Sequence, residues 1–214
     1  MFIFTFLALV SCTTAVPLRR RQAPSGVPDY VIDFAPIVRL YSAETYLPAD
    51  IGAQLVNTIP QTNYTAIQGA PDPLTLDNLD DLNALGGNDT YLTSKDNVED
   101  LPTWLLGVKP DSTGKTDGAV SCAIIVNDHG SGLVDAFYMY FYAFDYGGTY
   151  FGKTIGDHVG DWEHNMIRFQ DGIPQAMWYS QHDNGEAFDY STTKKYHQGI
   201  RVSLRCSRIE VTIC

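Results

Sequence analysis

Within the run Gly156-Asp157-His158-Val159-Gly160-Asp161-Trp162-Glu163-His164, two imidazoles and three carboxylates fall inside eight residues. Carboxylate and imidazole groups are the ordinary protein ligands of zinc, manganese and calcium. In extended chain the side chains alternate, so Asp161 and Glu163 share one face while His158, Trp162 and His164 share the other. A straight strand cannot aim them all at one ion. Gly160 permits a bulge or bend that brings His158 or Asp157 beside Asp161 and Glu163. His182, in Trp178-Tyr-Ser-Gln-His-Asp-Asn-Gly-Glu186, follows one hairpin later and is placed to add a ligand or a proton carrier.

Two chemistries fit that inventory. In one, His158, Asp161, Glu163 and His164 hold a divalent metal ion, a bound water is the nucleophile and His182 is the catalytic acid or base, which makes a metal-dependent hydrolase. In the other, the same groups form a satisfied hydrogen-bond network, with Asp161 and Glu163 holding turn amides and the imidazoles bonded to carboxylates or main chain. His129 and His197 read as loop histidines.

The elements that must position these groups are mostly strands. Val31 to Leu40 is β-branched and aromatic, broken by Pro36, and reads as an edge strand. Pro48-Ala-Asp50 opens a short helix with Ile51, Leu55 and Val56 on one side. A second helix carries Leu76, Leu79, Leu82 and Leu85, capped by Thr75 and ended at Gly86-Gly87. Residues 86–118 read as a long surface excursion around Trp104-Leu105-Leu106. Strands follow at Ala119 to Val126 and Leu133 to Phe144, joined by a turn at Asn127-Asp-His-Gly130. In the second of these, Phe137, Met139 and Phe141 form an apolar face and Tyr138, Tyr140 and Tyr142 a tyrosine face, the pattern of a strand in mid-sheet. Asp161 to Phe169 and Gln175 to Gln181 make a hairpin through Gln170-Asp-Gly-Ile-Pro174. The expected fold is mainly β: an antiparallel β-sandwich-like domain with two short helices in the N-terminal half.

The N-terminus carries secretory signals. Phe2 to Ser11 is apolar but too short to span a bilayer, and small residues up to Ala15 suit signal peptidase, so residues 1–15 read as a signal peptide. Residues 16–21 read as a basic propeptide cut after Arg21, leaving Gln22 first. Residues 22–201 then form the β-rich domain. Losing residues 1–21 removes three of the 14 Lys and Arg and none of the 25 Asp and Glu, which leaves a formal charge of −14. Such a surface repels nucleic-acid phosphates and argues against a nucleic-acid partner. No transmembrane span is expected. Cys122, Cys206 and Cys214 permit at most one internal disulfide. Asn63-Tyr-Thr65 and Asn88-Asp-Thr90 are N-glycosylation sequons in polar stretches.

The string Gly156 to His164, with Arg168-Phe169, Gly172, Pro174 and Trp178-Tyr-Ser-Gln-His182, closely resembles the vacuolar protein sorting-associated protein 62 family of fungi and plants. Ala35-Pro-Ile-Val-Arg-Leu-Tyr-Ser-Ala-Glu44 and Tyr46-Leu-Pro48 resemble that family's N-terminal signature. The resemblance covers roughly residues 30 to 190 and implies a β-rich domain associated with vacuolar sorting; it supplies no reaction or ligand. Residues 202–214 depart from the pattern, as a shifted splice junction or reading frame would produce, and read as an atypical tail. The functional expectation is a non-catalytic binding or sorting domain, secreted or vacuolar, with a protein or glycan ligand. The alternatives are the metal-dependent hydrolase and a lectin using Trp162 and Trp178 as stacking platforms.

Overall fold

The computed structural model describes residues 23–181, 184–196 and 201–205, the last stretch as backbone. Ala15, Arg21, His182 and His197 lie outside the described residues. The α-helices among the described residues are α1 (Asp29–Asp33), α2 (Ile51–Val56) and α3 (Leu82–Leu85). The strands of the N-terminal half are β1 (Ile37–Arg39), β2 (Thr58–Thr62), β3 (Thr65–Ala66) and β4 (Tyr91–Ser94). Then come β5 (Cys122–Gly130), β6 (Leu133–Asp145), β7 (Thr149–Tyr150), β8 (Lys153–Thr154) and β9 (His158–Gln170). Beyond these lie β10 (Ile173–Gln181), β11 (Asn184–Asp189), β12 (Lys195–Tyr196) and β13 (Arg201–Arg205). The chain is mainly β, as its strand signals indicate.

The largest sheet has the order β11-β10-β9-β6-β5, with every neighbouring pair antiparallel. β6 and β9 are its longest strands and pair from Leu133↔Gln170 through to Asp145↔His158. β6 lies between two neighbours, as its two-faced pattern requires. Tyr138 and Tyr140 are fully buried and Tyr142 nearly so, whereas Phe137 and Met139 keep partial exposure. Val134, Ala136, Ile167, Phe169 and Met177 complete the same layer, closed from outside by Val31, Ala35 and Tyr190. Burial of a tyrosine needs a partner for its hydroxyl. Tyr138 Oη donates to the Val31 carbonyl at 2.7 Å, and Tyr140 Oη donates to Asn165 Oδ1. The hydroxyls of Tyr138 and Tyr140 thus reach polar partners inside the core.

Several other expectations change. Val31 is helical, not extended, because Pro28 presets the first turn of α1 and Val31, Phe34 and Ala35 follow helical spacing onto the sheet. The extended segment shortens to β1. α2 follows Pro48-Ala-Asp50 as expected, and Asp50 caps it, its Oδ2 accepting from Ala53 N at 3.0 Å, but Val56 turns to solvent while Leu55 is buried. The leucine series forms a 3-10 turn at Leu79–Asp81 and then α3, with only Leu82 of the four buried. Thr75 does not cap; its N–H donates to Asn78 Oδ1.

Residues 86–118 are less loop-like than expected. β4 pairs with β2, and Leu105 is fully buried with Ala49, Phe141, Ala143 and Phe144 in a second core on the far side of the sheet. The β5–β6 turn falls at Ser131-Gly132, both with positive φ, the pair a tight hairpin turn demands. Asn127 to Gly130 instead continue β5, with a register shift between Asp128 and Gly130. At the other end of the chain, β13 pairs parallel to β1 and antiparallel to β12, so the segment across residue 201 is part of a sheet.

Candidate functional site

The site is built at the end of the β6–β9 pair. Opposite residues across an antiparallel ladder share a face, so Asp161 lies with Tyr142 and Glu163 with Tyr140, on the tyrosine side. His164 lies with Met139 on the other side, near the ring of Phe137 at 6.4 Å between centroids. Burial holds the His164 imidazole below its ordinary value. The structure therefore separates His164 from Asp161 and Glu163, and the four-residue metal set of the sequence does not meet at one point. Among the described residues, no three or more His, Cys, Asp or Glu side chains are arranged as a metal cage.

Gly160 does bend the strand. Its φ is +78°, a conformation that L side chains rarely adopt, although the β6–β9 register runs on without an inserted residue. The bend carries His158 round to Asp161, with Nε2 3.5 Å from Asp161 Oδ1. The other ring nitrogen, Nδ1, lies 3.0 Å from the Gly156 carbonyl and 3.9 Å from Asp145 Oδ2. Burial alone would lower the His158 pKa; the Gly156 carbonyl and the Asp161 and Asp145 carboxylates outweigh it and raise the pKa overall. Asp145 is raised in turn, mainly by burial and then by Asp161, Asp157 and Glu44, against the lowering by His158. Asp157 is committed elsewhere, its Oδ1 accepting from Gly147 N at 2.9 Å.

Two participants were not named from the sequence. Asp145 is one, and its signal was available: it ends the long tyrosine strand that an equally long strand beginning at His158 must pair with. Gln54 is the other. It comes from α2, is 6% exposed, and its Nε2 would lie 3.2 Å from a Cβ at Gly160. No spacing pattern links it to the site.

A second polar cluster sits at the opposite end of the same strands. Asp135, 4% exposed, receives two bonds from Arg168, and His129 Nε2 lies 2.9 Å from its Oδ2. His129 is thus an anchored strand residue, not a loop histidine. Of the two tryptophans named as stacking platforms, Trp162 is 42% exposed and meets Phe141 in a tilted contact, 5.0 Å between centroids, while Trp178 is partly covered.

Fold and site together describe a mainly β domain whose longest strand pair ends in an acidic, imidazole-bearing bend. Comparison with known proteins gives its family. The chain is 38% identical over 195 residues to the putative vacuolar protein sorting-associated protein TDA6 of Saccharomyces cerevisiae, and 36% identical over 195 residues to vacuolar protein sorting-associated protein 62 of the same yeast. Each match takes in 83% of this chain and 41% or 40% of the relative, so the chain spans about two fifths of the curated relatives it matches. Across that segment the chain belongs to the vacuolar protein sorting-associated protein 62 family. No family model and no solved structure matches it. Among the described residues, no helix is long and apolar enough to cross a membrane.

Proposed function

We propose that the chain is a non-catalytic binding domain serving protein sorting at the vacuole or cell exterior. It reaches that destination through a signal peptide at residues 1–15 and loss of the basic segment 16–21. The observation that carries the reading is the identity, over 83% of the chain, to two yeast proteins named for vacuolar protein sorting. The geometry supports binding over hydrolysis. His164 lies on the opposite face of β9 from Asp161 and Glu163, so the four groups named as a hydrolase's metal ligands do not meet at one point. In yeast lacking both relatives, the expressed chain is expected to reduce the fraction of a vacuolar hydrolase that escapes into the medium. Unchanged escape, with the chain present in the secretory pathway, overturns the proposal.

A further inference from the structure

We propose that the hairpin of β7 and β8 attaches this domain to the surface of an electrically neutral lipid bilayer, with Phe151 set among the acyl chains and Tyr150 and Lys153 at the headgroups. The inference does not rest on the sorting reading.

The hairpin breaks the rule that its own backbone sets. β7 ends at Tyr150 and β8 begins at Lys153, so Phe151 and Gly152 make the turn, with φ of +51° and +74°. Two positive φ values in a two-residue turn favour Asn-Gly, Asp-Gly or Gly-Gly, and a bulky side chain there is an outlier. Three other two-residue hairpin turns among the described residues have the same backbone and place Asn63, Ser131 and Asp171 at the position of Phe151. Packing inside the domain does not offset the misfit, because Phe151 is fully exposed. A residue that breaks a local rule without a gain in the fold points to a gain outside it.

Phe151 is also not a solitary exposed ring. Tyr150 and Ile155 are more than half exposed, and Tyr146 is exposed as well. Tyr150 pairs with Lys153 and Ile155 N donates to the Gly148 carbonyl at 3.1 Å, so Tyr150 and Ile155 lie on one face of the ribbon. Apolar residues scattered singly over a surface need no explanation, whereas four gathered within ten residues mark a contact site.

The order of chemistry along the hairpin fits a bilayer. Phe151 is the tip; Tyr150 and Lys153 stand opposite each other one step back; Thr149 and Thr154 follow; Asp145 and Asp157 flank the root. That is the depth order of a membrane interface: apolar groups among acyl chains, tyrosine and lysine at the headgroups, carboxylates in water. The ribbon forms its own two-stranded sheet and pairs with no other strand among the described residues, so its tip meets a fluid surface without needing a matching pocket. Its root is fixed. Tyr146 packs on Tyr46, Tyr46 on Phe144 of the second core, and Gly147 N donates to Asp157 Oδ1 at 2.9 Å. Charge decides the kind of lipid: Lys153 is the one charged residue between 146 and 155, and the chain carries a formal charge of −11. Anionic lipid repels such a chain, which leaves a neutral phosphatidylcholine surface.

The test is flotation of the purified chain with phosphatidylcholine vesicles. Expected is a lipid-dependent partition that Phe151→Asn lowers about tenfold or more, as loss of one buried phenyl group requires. Asn suits a positive φ, so the same variant is expected to unfold at an unchanged or higher temperature, which separates the contact from the fold. Tyr64→Ser, at the exposed β2–β3 tip, is the control and is expected to bind as wild type. Phosphatidylserine in the vesicles is expected to weaken binding at low salt. Should Phe151→Asn fail to fold, Ile155→Ser on the flank is expected to lower partition severalfold. No partition at millimolar lipid overturns the proposal, as does binding that Phe151→Asn leaves intact, that Tyr64→Ser reduces equally, or that requires phosphatidylserine. A dimer in sedimentation velocity that Phe151→Asn dissolves, or a protein captured by the wild-type chain alone, with no partition into vesicles, assigns the hairpin to a protein contact and overturns the proposal equally.

Discussion

Arg168 grips Asp135 with two bonds across the paired strands β9 and β6, Nε to Oδ1 at 2.8 Å and Nη2 to Oδ2 at 2.7 Å. The carboxylate is almost wholly buried while the arginine side chain keeps 46% of its surface in water. Removing the arginine leaves a buried charge with His129 as its remaining side-chain partner. Arg168→Met is therefore expected to destabilise the domain by about 2 kcal/mol, read as a lower urea midpoint at unchanged slope.

The same pair sets an acid response. Arg168 holds the Asp135 carboxyl below its ordinary value of 3.8, against burial and with help from His129. A depressed carboxyl stabilises the fold above its unfolded pKa, and the gain is lost as pH falls through the folded value. The stability gap between wild type and Arg168→Met should accordingly be full at pH 6 and shrink below about pH 4. A gap that stays constant down to pH 2.5 would assign the loss to packing of the arginine stem.

Tyr140 and Asn165, both buried, are joined side chain to side chain by a hydrogen bond at the centre of the tyrosine layer. Asn165 Nδ2 has no other partner, so Tyr140→Phe strips the amide of its bond at Oδ1 as well. A loss of about 1–3 kcal/mol is expected in thermal or urea unfolding, with little change in the far-ultraviolet spectrum.

The two sequons differ in access. Asn63, Tyr64 and Thr65 form an exposed tip between β2 and β3, with Tyr64 fully in solvent. Thr90 is half-buried and its Oγ1 is enclosed. Secreted material is expected to carry glycan at Asn63 in preference to Asn88, so N63Q should remove most amidase-sensitive mass in intact-mass measurement. Equal loss from N88Q would contradict this.

The sheet was legible because its signals are local: alternation in β5 and β6, and the Gln170 to Pro174 turn, fix strands before any contact is known. What escaped was the cover. What covers the tyrosine face, Val31 and Ala35, comes from a segment read as strand. In the candidate site, Gly160 announced a bend and His158 does swing to Asp161, but the direction of His164 follows from the β6 register, and Gln54 arrives from about a hundred residues away. Asp145 marks the middle ground: its pairing with His158 follows once two equal strands are joined in register.

The parallel pairing of Ile37–Arg39 with Ser203–Arg205 has a temporal consequence. During synthesis at roughly 5–20 residues per second, β1 leaves the ribosome some 10–30 seconds before its partner exists. Throughout that interval the five-stranded meander can assemble from neighbouring segments, whereas the first strand remains an open edge able to pair with a neighbouring chain. Among the described residues, closing that ladder joins the strands farthest apart in the chain, so slowed elongation should raise aggregation through β1 before the other strands.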